Sequence, residues 1–321
     1  MMDQLRVSSS PHVHKLWNIK GIMFNVCLAL LPAAIYGVVQ FGLNAAVVMV
    51  SAVASAVLTE WIIGILCKKP STIGDFSAAV TGMLIGMSCP PTAPFWIPMI
   101  GSIFAIGIVK QLFGGLGYNF MNPALAARAV LLASWPSIMT DWQFLNTGAA
   151  ASGATVVSQA TPLAAAQYGT AASYSDLFFG SVAGCIGEVS KLLLLVGAAY
   201  LVITKVISLY TPMGVLGSLF VLTWALGGEG GLFTGDGLYA ILSGAAILCA
   251  FFMATDYTTS PVTKVGQVVF GIGVGAMIFV IRTYGSYPEG VTYAVLFMNI
   301  LTPMIDKFIR PRIYGEVKSR G

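Results

Sequence analysis

The chain has 321 residues, 57% hydrophobic and only 9% charged. A water-soluble surface needs about a quarter of residues charged, so this composition and a mean hydropathy of +0.86 mark an integral membrane protein. The net charge of +4 is no nucleic-acid signature, because the basic residues gather at helix ends and termini.

Residues 1–20 are polar and lack the small-residue cleavage site of a secretory signal; they read as a cytoplasmic N-terminal segment. A bilayer core of about 30 Å takes about 20 apolar helical residues. Candidate spans are Gly21–Val39, Leu43–Leu66, Phe76–Cys89, Pro94–Phe113, Asn122–Trp135, Gly180–Thr204, Pro212–Gly228, Leu238–Ala254, Lys264–Arg282 and Gly290–Asp306. With the N-terminus inside, thirteen of the sixteen Lys and Arg fall on the cytoplasmic side. That asymmetry places both termini in the cytoplasm.

The two halves are expected to be related. Gly74 and Asp75 open the third helix of the first half, and Gly235 and Asp236 that of the second. Gly101 to Gly107 resembles Gly266 to Gly273, and Met121-Asn122 recurs as Met298-Asn299. Five helices per half makes the repeat inverted. The expected architecture is an all-α membrane protein of about ten transmembrane helices in two inverted five-helix repeats. Residues 21–135 form the first repeat, 136–180 an external loop, 181–306 the second repeat and 307–321 a basic cytoplasmic tail. Phe76–Cys89 and Asn122–Trp135 are each about 14 residues, roughly 21 Å of helix. Half-length helices need protein or a cavity beside them, which points to a pocket near the repeat interface; tilted neighbours completing the spans are the plainer alternative.

Charges within spans are functional candidates by default. Arg128 reads as a clamp on an anionic group such as a phosphate, or as the partner of a helix C-terminus or an acidic neighbour. Glu188 and Lys191, spaced i, i+3, are expected to pair, and Glu60 to snorkel from a helix end. Lys110 to Pro123 combines three glycines with Lys110, Asn119 and Asn122, suited to close approach of a flat ligand. Phe251 to Pro261 sets Asp256 among hydroxyl residues, more than one helix cap needs. The five cysteines are widely spaced without a CxxC pair, which favours packing over metal or disulfide chemistry. No metal site and no catalytic side chain is expected.

The external loop has no Lys or Arg and only two acids, Asp141 and Asp176. Loops this long are functional or disordered. It holds two candidate acceptor threonines, Thr155 in Ser-Gly-Ala-Thr and Thr161 in Ser-Gln-Ala-Thr-Pro-Leu-Ala.

At these motifs the sequence resembles the D-subunit family of the Rnf complex, an ion-translocating ferredoxin:NAD⁺ oxidoreductase. The matching residues are Ser10 to His12, Gly74-Asp75 through Thr81-Gly82 to Pro90-Pro91, and Lys110-Gln111 through Gly115 to Asn122-Pro123-Ala124. Further matches are Ala160 to Ala164, Gly187-Glu188, Phe251 to Asp256 and Thr259 to Pro261. The related B subunit of the sodium-pumping NADH:quinone reductase shares the pattern but is longer at its N-terminus. The resemblance implies a fold like urea and ammonium transporters, and FMN joined through its phosphate to a threonine. The family's Pro-Leu-Ala context selects Thr161. Gln159 departs from the usual glycine, and Thr155 stands where an upstream Asp is common, so Thr155 stays the second candidate. The resemblance further implies riboflavin held non-covalently in the helical bundle. Electrons would pass from reduced ferredoxin through an external FMN subunit to a cytoplasmic NAD-binding subunit, with export of Na⁺ or H⁺. The expected setting is the prokaryotic cytoplasmic (inner) membrane. A small-solute channel is the competing reading; it has no need of the threonine loop.

Overall fold

The computed structural model describes residues 18–68, 72–144, 157–158, 162–163, 172–228, 231–285 and 290–309. Thirteen helices carry the fold among them: α1 (Ile19–Phe41), α2 (Leu43–Leu66), α3 (Ser77–Ser88), α4 (Trp96–Ile103, widening into a π-helix at Phe104–Gln111), α5 (Pro123–Ser134), α6 (Pro136–Met139), α7 (Tyr174–Phe179), α8 (Lys191–Ile203), α9 (Tyr210–Leu226), α10 (Gly237–Leu242), α11 (Ala246–Leu248, widening into a π-helix at Cys249–Met253), α12 (Lys264–Tyr284) and α13 (Val291–Phe308). A two-residue antiparallel ribbon pairs Gln143 with Ser158 and Phe144 with Val157. Three helices, α1, α2 and α12, are long and apolar enough to cross a membrane by themselves; α3, α4, α5, α8 and α9 are apolar but shorter.

One continuous apolar core runs from Ala29 in α1 to Met298 in α13, uniting the two halves of the chain. The outer faces are apolar as well: Ile35, Val39, Leu43, Val50, Leu66, Ile272 and Val280 are all exposed. Exposed apolar surface on that scale needs lipid or another chain against it. Helix contacts rely on small residues, as they do where lipid removes the hydrophobic drive. On α3 a Cβ at Gly82 would lie 2.7 Å from the Val53 Cα, and on α12 one at Gly271 would lie 2.6 Å from the Thr211 carbonyl oxygen.

Two of the expected spans depart from continuous helix. Between Gly180 and Thr204 the chain is helical only from Lys191; residues 180–190 are irregular, yet most of them are buried. The cause is the end of α3. A helix leaves its last carbonyls unpaired, and here those of Met87 and Cys89 accept the N–H groups of Gly187 (2.8 Å) and Ile186 (3.2 Å), while that of Ser88 accepts the Cys185 thiol (3.1 Å). Irregular backbone survives at membrane depth only with its polar groups satisfied by protein in this way. The second break parts α10 from α11 at residues 243–245, where Gly244 takes φ +63°. There the carbonyls of Ala240 and Ser243 accept the Arg282 guanidinium at 2.6 and 3.2 Å, and that of Gly244 accepts the Lys191 ammonium at 2.8 Å. Cations at a helix C-terminus also oppose its dipole favourably.

The recurring Met-Asn pairs meet. With its amide oriented to satisfy both neighbours, the Asn299 side chain donates to the Thr259 carbonyl and accepts from the backbone N–H of Asn122 at 3.1 Å. Their settings differ: Asn122 caps the start of α5, whereas Asn299 lies inside α13.

Candidate functional site

A cavity whose empty space, counting the part open to its surroundings, is roughly 770 Å³ lies where the start of α3, the end of α4, the start of α5 and the turn after α11 converge. Lys110, Asn119, Asn122 and Asp256 all line it, across 146 positions of sequence. Ser77, Thr81, Thr255, Tyr257 and Thr258 add polar groups, while Ile22, Met23, Val26 and Phe251 supply apolar wall. Both π-helical turns end at this cavity, one bearing Lys110 and the other Phe251 and Phe252. Such turns concentrate at functional sites, because the inserted residue redirects the helix backbone.

The glycine-rich turn below α4 needs its composition. Gly114, Gly115 and Gly117 adopt φ of +121°, +100° and +95°, the left-handed range that side chains resist. The turn brings Asn119 to the rim, where its Nδ2 donates to the Thr258 hydroxyl at 2.9 Å and to the Met121 carbonyl at 3.3 Å. Its Oδ1 takes no hydrogen bond among the described residues. Asn122 is committed differently: its Oδ1 caps α5 through the N–H groups of Ala124 (3.0 Å) and Leu125 (3.3 Å), and its Nδ2 donates to the Met253 carbonyl. Asn122 therefore ties the start of α5 to the π-turn of α11 and shapes the cavity. Asp256 accepts from Thr258 and Thr259 at 3.1 and 3.2 Å through Oδ2. Burial pushes its carboxyl above the usual range, and the two threonine hydroxyls pull the other way.

Lys110 is 3% exposed and forms a 2.7 Å ion pair with Glu60, donating also to Ser77 Oγ at 2.6 Å. Glu60 Oε1 collects further bonds from Thr72 (2.8 Å) and Gln111 (3.2 Å). The expectation that Glu60 snorkels is thus corrected: it is 2% exposed, because α2 and α4 pack side by side and hand it a cation. A buried charge is tolerable only when paired. The pair fixes a positive group at the cavity wall.

Arg128 does not line this cavity. It pairs with Glu188 at 3.1 Å, both buried, and donates to Cys185 Sγ at 3.4 Å. The expected Glu188–Lys191 side-chain pairing is corrected by the same geometry. Glu188 precedes the start of α8, so no helical i, i+3 relation exists; the Lys191 ammonium goes to the Glu188 backbone carbonyl and to Gly244. Thr155 and Thr161 lie outside the described residues, but Pro162, beside Thr161, is buried and lines a small cavity with Glu188 and Lys191. Among the described residues no cluster of His, Cys, Asp and Glu could hold a metal ion. Ser77 carries no signal in the sequence that sets it apart. Glu60 does, as an acid within an apolar run, but nothing in the sequence ties it to Lys110.

Apolar helices with buried ion pairs, interrupted backbone at depth and a polar cavity at their junction define a membrane-embedded protein with a polar cavity inside its helical bundle. Residues 6–315 match a family model described as the NQR2, RnfD, RnfE family, and the chain belongs to that family. It is 47% identical over 320 residues to the D subunit of the Na(+)-translocating ferredoxin:NAD(+) oxidoreductase complex of Acetobacterium woodii, covering 98% of this chain and 96% of that one. It is 44% identical over 320 residues to the D subunit of the proton-translocating ferredoxin:NAD(+) oxidoreductase complex of Clostridium ljungdahlii, covering 96% of each. With the D subunit of the ion-translocating oxidoreductase complex of Stutzerimonas stutzeri the identity is 38% over 336 residues, covering 95% and 94%.

Proposed function

We propose that the chain is the membrane-embedded D subunit of an ion-translocating ferredoxin:NAD⁺ oxidoreductase. The observation that carries this is near end-to-end similarity to subunits so named, joined to a cavity with polar groups in an otherwise apolar bundle. Those two relatives are named for different ions, and the reading here is export of Na⁺ or H⁺. The test is deletion of the chain from its own cell. Inverted membrane vesicles are expected to lose NAD⁺ reduction by reduced ferredoxin together with ion uptake, and to regain both on re-expression. Vesicles that keep both activities without the chain would refute the assignment.

In this reading the chain crosses the cytoplasmic membrane ten times, with residues 21–135 and 181–306 as inverted five-helix repeats and 136–180 outside. The Lys and Arg asymmetry supports it, as do the glycine-aspartate pairs that open α3 and α10. A reporter fused after Gly148 is expected to be external and one after Ser319 cytoplasmic; reversed signals at either site would refute the topology.

Thr161 is the attachment point for FMN, through a phosphoester in the external loop. The internal cavity is the place of a second, dissociable flavin, riboflavin. The lining residues suit such a group: the cavity offers apolar wall for a flat ring, the fixed ammonium of Lys110, and the Asn119 Oδ1 as an acceptor. A bound flavin supplies one- and two-electron transfer, and the protein supplies position and electrostatics. Lys110 would supply positive charge from the cavity wall, Glu60 and Ser77 hold that ammonium still, and Asn122 ties the start of α5 to the π-turn of α11. Replacing both charges, as in Glu60→Gln with Lys110→Gln, avoids a lone buried charge. That variant is expected to keep its covalent flavin and to lose at least about tenfold in affinity for the dissociable one, roughly the 1.4 kcal/mol of one well-placed charged contact. Flavin released by acid and quantified by chromatography checks it. The remaining partners are the other Rnf subunits, including an external FMN subunit and a cytoplasmic NAD-binding subunit.

A further inference from the structure

A second cavity, of roughly 780 Å³ counting the part open to its surroundings, lies where the turn after α8 meets the starts of α9 and α12. Val206, Ile207, Thr255 and Tyr257 line both cavities, so this one backs onto a wall of the first. Its polar lining includes Lys205, Ser208, Thr211 and Gln267, and no Asp or Glu is among its lining residues.

Three of these side chains hold donors ready. Thr211 is 2% exposed, yet its hydroxyl makes no hydrogen bond among the described residues. A hydroxyl withdrawn from water without a partner is destabilising, and a ligand oxygen in the cavity relieves it. Gln267 accepts from the Ser208 hydroxyl through Oε1 at 2.8 Å, which leaves its Nε2 as a donor to the cavity. Lys205 follows the end of α8 at φ +56°, a conformation that glycine ordinarily fills at a helix end. Lysine there sets an exposed ammonium on the cavity, with no acid paired to it among the described residues.

The backbone adds to them. α9 starts at Tyr210 without a side-chain cap, so its first N–H groups are left to other partners. Lys264, at the start of α12, lies 5.6 Å from the centroid of the Tyr210 ring, and a Cβ on Gly214 would lie 3.0 Å from the Gly271 Cα. The two helices therefore start together, and their dipoles bring partial positive charge to one spot. Helix starts of this kind receive oxyanions.

A hydroxyl, an amide, an ammonium and a helix start approach from different directions, which suits a tetrahedral oxyanion. The rim indicates what carries it. Ile203, Leu209, Val262 and Val265 are exposed apolar residues on the same turns and helix starts, a seat for acyl chains. We propose that this cavity is a phosphate-diester site for the headgroup of an anionic phospholipid, held by Lys205, Thr211 and Gln267. A zwitterionic headgroup brings its own ammonium, which meets no acid on the cavity wall, so the site selects net negative charge. Basic pockets between spanning helices recognise lipid headgroups through the same chemistry.

The test is lipid binding by the full chain in neutral detergent, titrated with phosphatidylglycerol or phosphatidylethanolamine and read by native mass spectrometry as the fraction carrying lipid. The wild-type chain is expected to bind phosphatidylglycerol more tightly. Lys205→Gln with Thr211→Val is expected to weaken that binding at least about tenfold, the effect of losing one charged hydrogen bond, and to leave phosphatidylethanolamine binding unchanged. Lys68→Gln, at an exposed lysine away from the cavity, is expected to change neither. Thr211→Val alone should match or exceed the wild-type thermal midpoint in lipid-free detergent, because it deletes a hydroxyl without a partner; a lower midpoint would overturn that hydroxyl's role. Wild-type affinity for phosphatidylglycerol in the double variant would overturn the proposal. So would an equal loss for both lipids, which reports an apolar seat alone. Displacement of phosphatidylglycerol by an equal concentration of inorganic phosphate would overturn the lipid as occupant and assign the site to a soluble phosphate.

Discussion

Alanine at position 161 is expected to strip the chain of covalent flavin while leaving it inserted in the membrane. The substitution deletes the hydroxyl oxygen to which the proposed phosphoester would be joined. In-gel fluorescence of the denatured band should drop to background, and ferredoxin-dependent NAD⁺ reduction by the complex should be lost with it. Thr155→Ala should leave the fluorescence intact. Serine at 161 retains the oxygen without the methyl group, so partial labelling is expected. A Thr161→Ala band that still fluoresces would overturn the assignment, and a flavin peptide mapped to Thr155 would relocate it.

The second large effect is on stability, at Arg128. Arg128→Met leaves the Glu188 carboxylate buried without its guanidinium, at a cost of about 3–5 kcal/mol. That approaches the whole margin of a fold stable by about 5–15 kcal/mol. Glu188→Met, which strands the arginine, should be comparably damaging, whereas the double substitution should recover most of the loss because no lone charge remains. Lys191→Met leaves two carbonyls short of a donor, a smaller cost of about 1–3 kcal/mol. Thermal midpoints in detergent, followed by size-exclusion chromatography, give the comparison. Equal and near-normal midpoints for Arg128→Met and Lys191→Met would refute the ranking.

Much of the cavity was legible from sequence because polar side chains stand out in an apolar chain. Lys110, Asn119, Asn122 and Asp256 were marked by composition alone, and the fold gathers them on one wall system. Pairing between helices was not legible. Glu60 and Lys110 are 50 positions apart, and an apolar pattern says which face is buried but not which neighbour faces it. The Glu188 reading failed for a local reason. Spacing of i, i+3 means proximity only inside a helix, and the backbone there is drawn away to meet the carbonyls of α3. Gly184 and Gly187 were the visible sign, since glycines weaken a helix without dictating what replaces it.

The Arg128–Glu188 pair also constrains how the chain is made. Its members are 60 residues apart, and chains are synthesised at about 5–20 residues per second, so the arginine is made roughly 3–12 s before its counter-charge. For that interval α5 is a short helix of 12 residues whose arginine still lacks Glu188, a poor candidate for release into lipid. The nascent chain must therefore keep α5 in an aqueous or protein-lined waiting place until residues 180–190 arrive. Membrane insertion of the two halves is then a linked event, timed by the ribosome.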